Sequence, residues 1–211
     1  LGEAIMSTTT ARVTCTPVDI TKLFNWPDDS AAVAGVTEDS RDTEWLERLR
    51  ENVGKLPRGE FGSWGVPFEF APEGSDASVV MLANSDITVP IDGEASHVCI
   101  DHAWEQIPTT MSEVPREGLV VGEYVLTYAD GTSHAQPIRA RFEINLGESP
   151  GMPWLAEQLR MWQTVDPVIP RGDQSYGGTQ YALHVPHSFG EHIVSTYAMP
   201  NPHPERRISS L

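Results

Sequence analysis

The chain has 211 residues, with 30 acidic and 14 basic side chains and a formal net charge of −16 at pH 7. This charge repels phosphate backbones and anionic lipid surfaces, which argues against nucleic acid and membrane surfaces as partners. No apolar run approaches the ~20 residues of a membrane span and no signal peptide is recognisable, so we expect a cytoplasmic protein. Cys15 and Cys99 each lie in an apolar run, which favours two reduced core thiols over the alternative of one disulfide.

The N-terminal part predicts a tail, a strand, a loop and a helix. Residues 1–10 are expected to be a tail or an expression remnant, and residues 11–20 alternate as a half-buried strand would. Turn-forming residues at 25–30 predict a loop. A short peripheral helix is predicted from a capping residue, an apolar face and a closing glycine, namely Asp42 or Thr43, then Trp45, Leu46 and Leu49, then Gly54.

From Phe61 onward the pattern changes to short strands separated by turn residues, at a spacing typical of a β-sandwich. The predicted strands cover residues 66–70, 78–82, 87–91 and 97–101. The clearest signal is a β-hairpin at 119–145, where Asp130-Gly131 joins two runs of β-branched and aromatic residues. Its long strands are expected to be central to a sheet, while Pro137, which cannot donate to a ladder, indicates an edge or a bulge.

The C-terminal part predicts one more helix and further strands. The helix covers 153–163, with Pro153 in its first turn, and the strands cover 179–185 and 192–198. Residues 205–211 resemble the opening of another strand. We therefore expect an all-β fold, an antiparallel β-sandwich with two short peripheral helices. Residues 11–211 would form one domain with a helical insertion at 153–163, either complete or the N-terminal module of a longer protein.

The sequence contains no G-x-S-x-G elbow, no H-E-x-x-H pair and no Gly-rich phosphate loop. The nearest approach to a metal site is a group of three imidazoles and a carboxylate, formed by His184, His187, Glu191 and His192. Zinc there would make the chain a metal-dependent hydrolase, and the alternative is a solvated hairpin tip. Acidic loops at 28–29, 39–42 and 73–76 could hold a structural Ca²⁺, with simple solvated loops as the alternative.

A ligand site is predicted where the apolar run 98–100 ends. An indole can stack on the C–H face of a sugar while neighbouring carboxylate and imidazole groups bind its hydroxyls. The candidate residues for such a carbohydrate site are Asp101, His102, Trp104 and Glu105, joined by Trp64 from the aromatic segment 61–68. The alternative is architectural: Trp104 would close the open side of the sandwich, and the segment 61–68 would enter the core.

Four segments carry a family resemblance: Gly65-Val66-Pro67-Phe68, the strand end at 98–104, Gly122-Glu123-Tyr124, and Tyr128-Ala129-Asp130-Gly131. With them, residues 60–145 resemble the galactose-binding-like jelly-roll modules attached to bacterial hydrolases. Asp101-His102-Ala103 stands where that group has Leu-His-Ala. Such modules accompany glycoside hydrolases and metallohydrolases of the polymerase-histidinol-phosphatase type, and the H-x-H metal motif of the latter is missing from this chain.

The resemblance implies a non-catalytic accessory module, and we expect no cofactor. It would pack against a hydrolase domain in the same chain or a partner chain, or form a homodimer, and it could bind a glycan weakly. The resemblance transfers no catalytic residue. A self-associating structural scaffold is the remaining alternative.

Overall fold

The computed structural model describes residues 14–26, 40–63, 66–82, 86–104, 118–140, 142–144, 186–189 and 192–211. The elements in these ranges are a 3₁₀ helix at Thr21–Leu23, α1 (Ser40–Gly54), β1 (Glu60–Ser63), β2 (Val66–Glu69), β3 (Pro90–Gly93), β4 (His97–His102), β5 (Val120–Tyr128), β6 (Ser133–Arg139), β7 (Pro186–Phe189), β8 (His192–Pro200) and β9 (Ile208–Ser210). All pairings between these strands are antiparallel, which confirms the all-β class. No helix in these ranges is long and apolar enough to cross a membrane.

The described strands form three antiparallel sheets. A hairpin contains β1 and β2, a four-stranded sheet has the order β3-β9-β5-β6, and a three-stranded sheet has the order β4-β8-β7. β9 comes from the C-terminal segment, yet it lies between β3 and β5, with Ser210 opposite both Pro90 and Thr127. The strand predicted for 205–211 is therefore present, and it fills an interior position of the sheet.

β5 and β6 form the predicted hairpin. Gly131 has a φ of 83°, a left-handed conformation that glycine adopts without steric cost, and its N–H donates to the Tyr128 carbonyl at 2.9 Å. The Asp130 carboxylate accepts from the N–H and the hydroxyl of Thr132. Among the described strands β5 is interior, as expected of this hairpin, whereas β6 lies at the edge of the sheet. Pro137 on β6 agrees with the predicted edge, because an edge strand tolerates a missing donor.

The four-stranded and three-stranded sheets share one hydrophobic core, which we call the main core. Its buried members are Leu126, Tyr128, Ile138, Ile144, Tyr197, Met199 and Ile208. Tyr197 and Met199 belong to β8, whereas the others belong to or adjoin the four-stranded sheet. Each fully buried aliphatic side chain stabilises the fold by about 1.5–3 kcal/mol, so this contact is what joins the two sheets.

The other face of the three-stranded sheet is covered by separate parts of the chain. Val66 and Ala198 are buried there and pack with Cys15, Phe68 and Cys99. Because alternate residues of a strand face opposite sides, Cys99 and Ala198 point away from the main core. We call the residues that close this face, Cys15 of the N-terminal segment and Val66 and Phe68 of β2, the covering layer.

The predicted N-terminal helix is confirmed as α1, which begins two residues before the expected cap and ends at Gly54. Its Leu49 and Val53 are buried against Trp26 in a smaller cluster of their own. The helix therefore has a core contact, separate from the main core.

Two predicted strands are wrong where the structure describes them. Residues 14–20 form no strand; Asp19 accepts hydrogen bonds from the N–H and hydroxyl of Thr21 and so begins the 3₁₀ helix instead. Residues 78–82 form a single bridge between Val79 and Trp26, because the Asn25 amide occupies the next ladder position. Its Oδ1 accepts from the Met81 N–H at 2.7 Å and its Nδ2 donates to the Met81 carbonyl at 3.0 Å.

The remaining strands agree with the sequence in part. β2, β4 and β8 lie within two residues of their predicted bounds, whereas β3 begins at Pro90, three residues later than predicted. Cys15 and Cys99 are free thiols. The helix predicted at 153–163 and the strand predicted at 179–185 lie outside the described residues.

Candidate functional site

β4 ends in Asp101 and His102, and their side chains point to opposite faces. Asp101 is registered against Thr196 of β8, and His102 against Ser195. Because side chains alternate along a strand, Asp101 lies on the side of the covering layer and His102 on the side of the main core. The structure therefore does not bring these two candidate ligand-binding groups together.

The His102 ring lies between two tyrosines. Its centroid is 5.9 Å from those of Tyr124 and Tyr197, with interplanar angles of 22° and 3°. Nε2 lies 2.9 Å from the backbone oxygen of Glu143, and since a carbonyl can only accept, Nε2 carries the proton. Nδ1 then accepts from the Tyr124 hydroxyl at 2.9 Å. Both ring nitrogens thus have partners within the protein.

Burial lowers the pKa of His102 to about 4, and the hydrogen bond to the Glu143 carbonyl opposes this only in part. Burial also raises the pKa of Tyr124 and of Tyr197, and for Tyr197 the Glu143 charge adds to the effect. At neutral pH the imidazole is therefore neutral and both hydroxyls keep their protons. Such groups are suited to holding hydrogen bonds and poorly suited to accepting a proton from a substrate.

The Glu143 carbonyl that receives His102 is held in place by an ion pair. Glu143 is only 2% exposed, and its carboxylate accepts from Arg139 through Nε at 3.0 and 3.2 Å, through Nη2, and through the backbone N–H at 2.9 Å. The Arg139 guanidinium also lies 4.8 Å from the centroid of the Phe142 ring. Charge-assisted, forked bonds of this kind impose a defined geometry. Arg139 and Glu143 thus position the loop after β6 against His102.

The Asp101 carboxyl is less well satisfied. Oδ1 accepts from the Thr196 hydroxyl, while Oδ2 is buried and has no hydrogen-bond partner in the described part of the chain. Burial raises the pKa of Asp101 to about 7, and the Thr196 hydrogen bond opposes this shift. At neutral pH this carboxyl is divided between its protonated and ionised forms.

Two thiols share this face with Asp101. Burial raises the pKa of Cys99 to about 12, and the neighbouring Cys15 and Asp101 add to the effect. Burial also raises the pKa of Cys15. Since the thiolate is the nucleophilic form, neither cysteine is activated at neutral pH.

The remaining candidate sugar ligands are only partly described. Trp104 is partly buried and packs against the main core. Glu105 and Trp64 lie outside the described residues. The carbohydrate site therefore stays a prediction.

Two of the candidate metal ligands, His187 and His192, are described through their backbone alone. His187 of β7 is registered opposite Val194 of β8, and His192 of β8 opposite Phe189 of β7, so the two histidines lie on adjacent strands. His184 and Glu191 lie outside the described residues, as does the acidic loop at 28–29. In the ranges whose side chains are described, no three His, Cys, Asp or Glu residues are grouped to hold a metal ion. The zinc and Ca²⁺ sites also stay predictions.

Sequence analysis did not single out Tyr197, Arg139, Glu143 or Thr196, which surround β4 in the fold. A local signal was present for one pair, since Arg139 and Glu143 are four residues apart and flank a phenylalanine. Tyr197 and Thr196 are almost a hundred residues from β4, and nothing in their local pattern indicates that contact.

Comparisons with protein-family models, with curated proteins and with solved structures find no match to this chain. The chemical state of the buried groups is therefore the main guide to function. At neutral pH the imidazole of His102 is neutral, and the tyrosine hydroxyls and the thiol of Cys99 keep their protons.

Proposed function

We propose that the chain is a non-catalytic accessory β-sandwich module of the galactose-binding-like jelly-roll class. It acts by packing against a hydrolase domain, in the same chain or a partner chain, or against a second copy of itself. One observation carries the proposal: both ring nitrogens of His102, at the end of β4, are hydrogen-bonded to groups of the protein beside the main core. A satisfied, neutral polar network of this kind makes a core unique and rigid, which suits a scaffold.

The sharing of one core by two antiparallel sheets supports the sandwich part of this proposal. Face-to-face packing of antiparallel sheets through interdigitating side chains is the arrangement of sandwich domains. The interior position of β9 adds support, because sandwich topologies commonly place strands distant in sequence side by side.

Exposed apolar side chains around β5 supply a surface for packing. Leu119, Val120 and Val125 are 51%, 52% and 40% exposed. Val125 faces away from the buried Leu126 and lies opposite Ala135, on the outer face of the four-stranded sheet. Apolar side chains exposed on the outer face of a sheet favour a protein partner.

Sedimentation velocity and a hydrolysis assay together test the proposal. We expect the isolated chain to show no turnover of chromogenic esters and glycosides, and to self-associate in the micromolar range. Val120→Glu with Val125→Glu should weaken that association at least about tenfold, since a charge in an apolar contact is costly to desolvate. Leu82→Glu is the matched control, because Leu82 is 56% exposed and lies elsewhere. Turnover by the isolated chain, or equal effects of the patch and control substitutions, would contradict the proposal.

Metal-dependent hydrolysis is the second candidate function. It draws on the β7–β8 register, which places His187 and His192 on adjacent strands. Elemental analysis of protein purified without a histidine tag separates the two candidates. Near-stoichiometric zinc that is lost in His187→Ala would support the enzyme and count against a purely structural module.

A further inference from the structure

We propose that the covering layer over the three-stranded sheet is a pH-dependent closure, which loosens when the Asp101 carboxyl loses its proton. This property is independent of whether the module binds a hydrolase domain or a second copy of itself.

The geometry around Asp101 supplies the reason. The carboxyl lies on the face of β4 that Cys15, Val66 and Phe68 close, next to the apolar contacts of Cys99 and Ala198. Its Oδ2 is buried without a partner in the described part of the chain, and its Oδ1 accepts from Thr196. A protonated carboxyl needs one acceptor for its proton, whereas an ionised carboxylate needs donors or water at both oxygens.

Among the described segments on this side of β4, the covering layer is held by the fewest strand hydrogen bonds. The segment 14–20 makes no strand ladder, and among the described strands β1 and β2 pair with each other alone. A two-stranded hairpin is marginally stable alone, and segments with few ladder hydrogen bonds open first in native proteins. On the opposite side the main core joins two sheets, so opening there would disrupt most of the fold.

The other titratable groups on this face are few among the described residues. Cys99 and His97 share the face on β4, and Cys15 belongs to the covering layer. Burial raises the pKa of both thiols and lowers the pKa of His97, which keeps all three neutral near pH 7. The backbone of His187 lies on β7, which β8 separates from β4, so a contribution from His187 needs its own control.

The direction of the effect follows from linkage. Burial raises the pKa of Asp101 to about 7 in the closed form, whereas a solvated aspartate in the open form has its ordinary value near 3.8. The closed layer is therefore most stable below about pH 4. Its opening equilibrium rises by up to about tenfold per pH unit between those two values and levels off above pH 7.

Thiol labelling of Cys99 measures this opening. In a Cys15→Ser background Cys99 is the sole thiol, and a pyridyl disulfide reagent reacts with thiols throughout the range from about pH 5 to pH 8. The labelling rate of the folded chain is divided by that of the urea-unfolded chain at the same pH, which removes the intrinsic pH dependence of the thiol. We expect this ratio to rise several-fold per pH unit up to about pH 7 and then to flatten.

Three variants identify the group responsible. Asp101→Asn, which keeps the size but cannot ionise, should make the ratio independent of pH, while His187→Gln should retain the rise. If Asp101→Asn does not fold, Thr196→Val serves instead. It removes the described hydrogen-bond donor to Asp101, so the labelling ratio should stop rising at a higher pH than in the parent chain. A flat ratio in the parent chain, a rise that survives Asp101→Asn, or a rise abolished by His187→Gln would overturn the proposal.

Discussion

His102 and Asp101 are neighbours on β4, but the two side chains, on opposite faces of that strand, differ in how fully they are hydrogen-bonded. On the main-core face both nitrogens of His102 have partners, and the loop that supplies one of them is held by Arg139 and Glu143. On the other face one oxygen of Asp101 has a partner and the second, among the described residues, has none. Burial disfavours the charged form of both groups, so the difference lies in hydrogen bonding. The hydrogen bonds on the first face hold His102 in a fixed position. The second face contains a carboxyl oxygen, Oδ2 of Asp101, that has no described hydrogen-bond partner.

The largest expected loss of stability comes from substituting Arg139, whose ion pair with Glu143 holds the loop that contacts His102. Arg139→Met removes the cation while the Glu143 side chain, only 3% exposed, remains buried. Urea unfolding at pH 7 should show a loss of up to about 3–5 kcal/mol in the free energy of unfolding, because the buried carboxylate loses its cation and keeps the backbone N–H of residue 139 as a donor. The double variant with Glu143→Leu should recover much of this loss. A loss below about 1 kcal/mol for Arg139→Met would mean that the ion pair does not hold the loop.

The next prediction concerns the pH dependence of stability, to which His102 and Asp101 contribute with opposite signs. The pKa of His102 is about 4 in the fold and near 6.5 as an ordinary value, so the unfolded chain binds more protons and stability rises with pH in that window. The pKa of Asp101 is about 7 in the fold and near 3.8 as an ordinary value, so the folded chain binds more protons and stability falls as pH rises. Each slope reaches at most about 1.4 kcal/mol per pH unit, and in the parent chain they largely cancel.

Substituting either group should therefore reveal the pH dependence of stability that the other group contributes. Urea unfolding between about pH 4.5 and pH 6.5 should show stability rising more steeply with pH in Asp101→Asn than in the parent chain. His102→Gln should show the opposite change. Parallel pH profiles for the parent chain and Asp101→Asn would contradict the assignment of a raised pKa to Asp101.

A smaller loss of stability is expected when the hydrogen bond from Thr196 to Asp101 is removed. Thr196 is fully buried, and Thr196→Val removes the donor to Asp101 with little change of volume. We expect a loss of about 1–2 kcal/mol in the free energy of unfolding at pH 7. The loss should shrink near pH 5, where Asp101 is protonated and needs fewer donors. Thr127→Val, at a partly exposed position of β5, is the matched control and should change stability little.

The smallest effect concerns one hydrogen bond on the His102 face. Tyr124→Phe keeps the stacked ring and removes the hydroxyl that donates to Nδ1. We expect a loss of about 1 kcal/mol. The pKa of His102 should also move up toward its ordinary value, because the neutral imidazole loses a bond, and an NMR titration of the ring would measure this. An unchanged titration would show that the hydroxyl does not favour the neutral form.

The features that could be predicted from sequence are those with a local cause. The turn at Asp130-Gly131 and the helix that ends at Gly54 are set by residues close together in the chain, and both are confirmed. The alternation of a strand already separates Asp101 from His102, yet grouping by proximity in sequence placed them in one site. The two-residue period of a strand places the side chains of adjacent residues on opposite faces.

Other features depend on contacts across long separations. The strand predicted at 78–82 is replaced by a single bridge because Asn25, 56 residues away from Met81, bonds there through its side chain. Tyr128 donates to Asn201 at 2.7 Å across 73 residues, and Asn201 also donates to the Ala95 carbonyl at 2.8 Å. No local pattern identifies such partners, because hydrophobic periodicity reports which face is buried and not what it is buried against.

The position of β9 has a consequence for the time course of synthesis. Ser209 follows Thr127, to which it is bonded, by 82 residues. At the usual ribosomal rate of about 5–20 residues per second, β5 emerges roughly 4–16 seconds before the strand that fills the space between β5 and β3, and β3 emerges earlier still. During that interval both present unpaired edges, which are templates for pairing with other nascent chains. Aggregation of this protein during expression should therefore depend on translation speed and chaperone supply more than on the stability of the finished fold.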